Sequence, residues 1–192
     1  MPTDKLRTYR GKRDFKRTPE PAGRRKRASR QARFVVQEHH ARALHWDFRL
    51  EVGGVLASWA VPKGPSLNPA DKRMAMRTED HPLEYVDFEG VIPEREYGAG
   101  PMIVWDRGTY QNRTERRGKA VPMEEAIDAG HIVIWLEGEK LSGAFALTRL
   151  AKGKRERWLL VKKADEKADR RRDPVKSMPR SVISGRTAAQ LA

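Results

Sequence analysis

The chain has 192 residues, 38% of them hydrophobic, which is enough for one domain with a real core, and its net charge of +14 points to a polyanionic partner. It has no cysteine, which excludes disulfides and thiolate metal sites. No stretch is long and apolar enough to span a bilayer and the first residues form no apolar leader, so a cytoplasmic protein without a membrane partner is expected.

The charge is uneven along the chain. Residues 1–33 hold thirteen Lys and Arg against three Asp and Glu, residues 151–192 hold thirteen against five, and the body between them is mildly acidic. Residues 1–33 are poor in apolar side chains and include the run Arg24-Arg25-Lys26-Arg27, so they read as an extended basic arm that orders on a polyanion. Eight strand candidates follow, at 34–39, 44–52, 55–61, 73–78, 102–110, 131–137, 143–150 and 156–164. Gly53-Gly54 is a two-residue turn signal that makes 44–61 a hairpin, with Val52 opposite Val55, Phe48 opposite Trp59 and Arg49 opposite Ser58. Lys63 then emerges near the His45 end of that hairpin. Helix is scarce: only 122–129, from Pro122 to the stop signal Gly130, has the right caps. The tryptophans Trp46, Trp59, Trp105, Trp135 and Trp158 sit in strand-like runs and are assigned to the core, and Gly98-Ala99-Gly100 to a turn between strands. Residues 165–192 read as a basic flexible tail or linker. The expectation is a mainly β single domain at 34–164, a sandwich or barrel with little helix and basic extended termini.

The chemistry concentrates at Phe34–Leu50, FVVQEHHARALHWDFRL. Leu44, Trp46, Phe48, Leu50 and Val52 fall on one face of a strand, and His45, Asp47, Arg49 and Glu51 on the other. Residues two apart on a strand lie roughly 6.5–7 Å from each other, so His45 and Asp47 can lean toward one ion, with His39 from the preceding run as a third ligand. Two imidazoles and a carboxylate leave coordination positions open, as a catalytic ion needs, and admit Mn2+ as readily as Zn2+. His40 points to the other side of a regular strand and is set aside as a ligand. His131 is assigned a structural role. Pro82 favours an extended backbone at His81, and Tyr85 is four residues further on, so this loop can present an imidazole and a phenol to one cavity.

The segment H-x5-H-x-D-F-R, followed by SWAVPKGPSLNP, RMAMRTEDHPLEYVDFEGVIPEREYGAG and IVWDRGTY, resembles the 3′-phosphoesterase domain of bacterial DNA ligase D, in the same order from about Tyr9 to Ala164. The resemblance implies a β-barrel that trims 3′ ends in nonhomologous end joining, using Mn2+ or another divalent metal to remove a terminal ribonucleoside and then the 3′-phosphate. It implies His39, His45 and Asp47 as metal ligands, and Arg49, His81 and Tyr85 as catalytic groups. It further implies phosphate binding by Gln37, Lys63 and Arg73, and a substrate arm with Arg13, Asp14 and Glu20. The implied partners are DNA primer-template 3′ ends, including ends with a terminal ribonucleotide, and ligase and polymerase modules of the same pathway. Such modules do not fit in 192 residues, so the sequence is a stand-alone protein or an excised piece. Two other readings are a noncatalytic DNA-end-binding module and a metal-dependent phosphatase for small molecules, the latter leaving the basic ends without a task.

Overall fold

The computed structural model describes residues 3–24 and 29–192, so most of the run Arg24-Arg25-Lys26-Arg27 lies outside the described residues. Its frame is a closed antiparallel barrel of eight strands. These are β1 (Arg33–His40), β2 (Leu44–Val52), β3 (Val55–Val61), β4 (Arg73–His81), β6 (Gly100–Asn112), β9 (His131–Gly138), β10 (Ser142–Ala151) and β11 (Arg157–Lys162). Their order is β1-β2-β3-β4-β11-β10-β9-β6, and β6 pairs back onto β1. All eight sequence candidates are present. The short β5 (Gly90–Ile92), an extra strand on the edge of β6, and the hairpin of β7 (Glu115–Arg116) and β8 (Lys119–Ala120) are not among them, being too short to show a period.

The alternation in β2 sends Trp46, Phe48, Leu50 and Val52 into the barrel, where they meet Phe34, Trp59, Trp105, Ile134, Phe145 and Trp158. Gly53 and Gly54 have φ of +57° and +81°, the left-handed pair that a tight hairpin turn requires, and they fix the expected register of β2 on β3. Trp135 departs from the expected core set: its neighbours Ile134 and Leu136 take the interior, and Trp135 lies outward beneath the Arg113 guanidinium, 4.3 Å from it. A helix, α2 (Met123–Ala129), stands where its caps place it, closed by Gly130 at φ +86°.

A second apolar cluster lies outside the barrel, where Val35, Leu56, Met102 and Val104 on the strands meet Tyr9, Leu83, Tyr85, Val86 and Ile92. Its cover is the N-terminal arm with the helix α1 (Arg7–Gly11), the 3-10 turn Leu83–Asp87 and β5. The arm is therefore packed rather than extended: Tyr9 is fully buried and its hydroxyl donates to the Pro21 carbonyl at 2.6 Å. Residues 165–192, expected as a flexible tail, also lie against the barrel, with α3 (Pro174–Ser177) and α4 (Ala188–Leu191). Trp105 Nε1 donates to the Met178 carbonyl at 2.8 Å, and the Val182 N–H donates to the Val104 carbonyl at 2.9 Å. Unmet donors and acceptors on β6 explain this docking, and a charge count cannot show it. Among the described residues no helix is long and apolar enough to cross a membrane.

Candidate active site

The outer face of β1 and β2 builds the site. Antiparallel pairing sets His39 opposite His45, Gln37 opposite Asp47 and Val35 opposite Arg49, so the two histidines and the carboxylate share one patch. Asp47 Oδ2 lies 3.5 Å from His39 Nδ1 and 3.4 Å from His45 Nε2, and one ligand atom from each residue fits within 4.8 Å. The remaining ring nitrogens fix the tautomers. His39 Nε2–H donates to the Gly98 carbonyl at 2.6 Å and His45 Nδ1–H to the Ala43 carbonyl at 2.9 Å, since a carbonyl only accepts. Two imidazole lone pairs then face one carboxylate oxygen, which only a shared proton or a metal ion between them stabilises. The donor set fits a divalent ion. Burial alone would raise the Asp47 pKa, but the Arg49 charge and the protons shared with His39 and His45 hold it well below the usual carboxylate range.

Arg49 is 1% exposed and each nitrogen of its fork has a close neighbour. Its Nε donates to Gln37 Oε1 at 2.7 Å, one terminal nitrogen lies 3.2 Å from Asp47 Oδ2, the other 3.1 Å from His81 Nδ1, and the guanidinium sits 4.9 Å from the Tyr85 ring centre. Gln37, expected at the phosphate, uses its amide within the protein: Nε2 donates to the carbonyls of Tyr85 and Phe88, both at 2.9 Å. It positions Arg49 and does not line the cleft.

His81 ends a strand rather than standing in a loop. Ser58 opposes Thr78 and Leu56 opposes His81, so three steps on β4 match two on β3. That extra residue turns His81 to the same outer face as Thr78 despite the odd spacing. Its Nδ1 lies 2.9 Å from the Glu79 carbonyl, which only accepts, and 3.1 Å from Arg49, which only donates, so one tautomer satisfies one of the two, and Nε2 faces Arg13 at 3.5 Å. Burial, then the charges of Arg49 and Arg13, push its pKa well below the ordinary value, so the ring is neutral.

The arm completes the wall. Arg13 Nε donates to Glu20 Oε1 at 2.8 Å, and its fork lies 3.3 Å from Glu79 Oε1. The Tyr85 hydroxyl donates to the same Glu20 oxygen at 2.7 Å, and burial together with the Glu20 charge raises its pKa well above the usual range. The result is a cleft of about 660 Å3 lined by His39, His45, Asp47, Arg49, His81, Tyr85 and Arg13, among others. Besides Gln37, four expected residues are not brought to it. Glu20 is buried beneath Arg13, and Asp14 is exposed and accepts from the Lys16 N–H. Lys63 is an exposed turn residue, and Arg73 shares the strand face of the interior residue Ala75, with a terminal nitrogen 3.5 Å from Asp71.

Two contributors have little signal in the sequence. Glu79 pairs with Lys12 and Arg13; burial opposes its ionisation, but its own backbone N–H and these cations keep its pKa below the usual value. The loop 93–99 supplies the Gly98 carbonyl to His39, and at φ +78° with His39 Cε1 3.3 Å from the position of a Cβ, Gly98 is a place where a side chain would be strained and tight. The glycine pair at 98 and 100 was a signal for a turn, and the turn's carbonyl is what the site uses.

Fold and cleft together define a β-barrel protein with a carboxylate-histidine cluster beside buried guanidinium groups. The model of the DNA Ligase D 3'-phosphoesterase domain family matches residues 37–149, and the chain belongs to that family. It is 50% identical over 193 aligned residues to the multifunctional non-homologous end joining protein LigD of Pseudomonas aeruginosa, covering 97% of this chain and 22% of that protein. The LigD proteins of Mycolicibacterium smegmatis and Mycobacterium tuberculosis are 46% and 45% identical over 88% and 85% of this chain, and 22% and 20% of their own lengths. The chain thus spans about a fifth of the length of these relatives.

Proposed function

We propose that this domain heals DNA 3′ ends, removing a terminal ribonucleoside and then the 3′-phosphate to leave a ligatable 3′-hydroxyl during double-strand break repair. The observation that carries this reading is the convergence of the His39, His45 and Asp47 donor atoms beside Arg49, His81 and Arg13 in one cleft, on a chain of the 3′-phosphoesterase family. His39 Nδ1, His45 Nε2 and Asp47 Oδ2 would hold the ion, taken as Mn2+. When bound, such an ion polarises a phosphoryl oxygen and lowers the pKa of a bound water.

The protein's own groups do the rest. Arg49 and Arg13 place two planar forks where charge builds on the phosphoryl oxygens, and neither needs to reorganise during reaction. His81 is neutral in the free site with Nε2 open toward Arg13. An arriving phosphate offsets both guanidinium charges and raises the His81 pKa, so the ring takes up a proton as substrate binds. Tyr85 keeps its proton, donates it to Glu20 and braces Arg49 with its ring. Gln37 and Glu20 act one layer behind, as positioning residues for Arg49 and Arg13. The hydroxyl product is what ligase and polymerase modules of the same pathway consume, which fits the end-joining names of the relatives.

The test is a gel assay of a 5′-labelled primer on a longer template, ending in one 3′-ribonucleotide, with Mn2+, with Mg2+ and with EDTA. Asp47→Asn, which keeps the side-chain shape, is the control. Mn2+-dependent shortening to a 3′-phosphate and then a 3′-hydroxyl, lost in the variant while cooperative unfolding is kept, is expected. Tight binding without cleavage under every metal would make the domain an end-binding module.

A further inference from the structure

We infer that the turn joining β10 to β11, Lys152-Gly153-Lys154-Arg155-Glu156-Arg157, grips the phosphate backbone of the duplex upstream of the 3′ end, an inference that rests on the end-healing reading above. The sheet register places this turn. Asp47 pairs with Ala60, Ala60 with Met76, and Met76 with Arg157. Paired residues of antiparallel strands point to the same side, so Arg157 stands on the outer face that carries Asp47. Three strand spacings separate them, roughly 14 Å across the sheet. The side chains between are Ala60, which lines the cleft, and Met76, so no charge interrupts the path. Met74 and Leu159 pair beside this row and continue the uncharged floor, with Met74 37% exposed.

The opposite direction is closed. Beyond Gln37 the outer face of β1 and β6 lies under the 3-10 turn and the C-terminal segment, whose Val182 bonds to Val104. A strand that leaves the cleft across the sheet therefore runs over β3, β4 and β11.

The turn's charge is available. Lys152, Lys154, Arg155 and Arg157 are exposed, and among the described residues none takes part in an ion pair. Its one acid is turned away: Glu156 Oε1 lies 3.2 Å from Arg149 Nη1 and accepts from Trp158 Nε1 at 2.9 Å. Each strand of a duplex carries a phosphate about every 3.4 Å of axis, so the turn meets the backbone about four nucleotides from the scissile phosphate. The basic hairpin β7–β8 makes a contrast. It follows the Asn112 end of β6, whereas Met102, near the other end, lines the cleft, and its Arg116 is paired with Glu125.

The test compares K152Q/K154Q/R155Q/R157Q with R116Q/R117Q/K119Q. Binding of a primer-template of about 12 base pairs, long enough to reach past the turn, is read by fluorescence anisotropy in EDTA over a salt series. The first variant is expected to lose about tenfold in affinity, with the slope of log K against log salt shallower by about 0.9 for each phosphate contact removed, and the second to lose little. Turnover of a 3′-phosphorylated trinucleotide, too short to reach the turn, is expected to stay at the wild-type rate in both variants. Unchanged affinity and slope in the first variant, or equal losses in the two, would overturn the inference. Normal wild-type binding without cleavage of the primer-template under any metal would end the end-healing reading instead, while the binding comparison still decides the surface.

Discussion

The two ends of the chain carry similar excess charge and do different work. The N-terminal arm covers the outer face over the cleft, puts Arg13 into its wall and holds it through Glu20, whose side chain has no exposed surface. The C-terminal segment covers β6, buries Pro174, Ser181 and Ala188, and meets the barrel chiefly through backbone groups at Met178, Arg180 and Val182; none of its residues lines the cleft. A terminus acquires its role from the barrel face it covers and from which of its groups, side chain or backbone, meet that face. Net charge distinguishes neither.

Deleting residues 1–20 is the strongest way to break this comparison. It removes Tyr9, Arg13 and Glu20 together, and ribonucleoside removal is expected to fall by about 10²-fold or more, the scale of losing a positioned donor, with a smaller loss for a bare 3′-phosphate. Equal losses on the two substrates in the gel assay would deny the arm a role in handling the nucleoside. Deleting 165–192 should do the reverse, leaving KM for a short substrate unchanged. It is expected to cost on the order of 5 kcal/mol in a denaturant titration, from returning a few apolar side chains to water at roughly 1.5–3 kcal/mol each and leaving Trp105 Nε1 without an acceptor at about 1–3 kcal/mol. A large change in KM would put the tail in the site after all.

The barrel was legible because its signals are local. Alternation along Leu44–Val52 and the Gly53-Gly54 turn specify a hairpin and its register without reference to anything distant. The cluster His39, His45, Asp47 follows from that register, since two paired strands suffice to bring it together. What lay beyond reach depends on distant segments. The face of β2 that carries Asp47, Arg49 and Glu51 is polar throughout, yet all three are buried, Arg49 against the ring of Tyr85 from the 3-10 turn and Glu51 against Ser29 from the arm. The extra residue in β4 that aims His81 leaves no trace in composition, because any residue type can occupy it. Gln37, Lys63 and Arg73 came from the resemblance, which carries positions and not the direction in which a side chain points. The structure sets Gln37 behind Arg49, and Lys63 and Arg73 away from the cleft.

Glu20→Gln sharpens the comparison at one residue. The amide keeps the volume but removes the charge that balances Arg13 and accepts from Tyr85. Breaking a buried pair in this way is expected to destabilise by about 3 kcal/mol and to lower ribonucleoside removal, measured by denaturant titration and single-turnover assay. Retained stability together with retained activity would mean that Glu79 alone suffices to hold Arg13.

The smallest effect concerns the other end. Lys140 donates to the carbonyls of Met178 and Arg180, and burial lowers its pKa to about 8 from the ordinary 10.5, against the pull of Asp106. Between those two values the unfolded chain binds more protons than the folded one, so Lys140 makes stability rise as pH increases across that window. The gain is expected to be on the order of 1 kcal/mol after solvent screening, and to vanish in Lys140→Met when denaturant midpoints are compared at pH 7.5 and 9.5. Because the C-terminal segment covers Lys140 and takes its ammonium out of water, the full-length chain should show this rise and the chain ending at residue 164 should not. A rise of equal size in both would mean that the ammonium is desolvated by the barrel itself, and that the tail rests on β6 without holding Lys140.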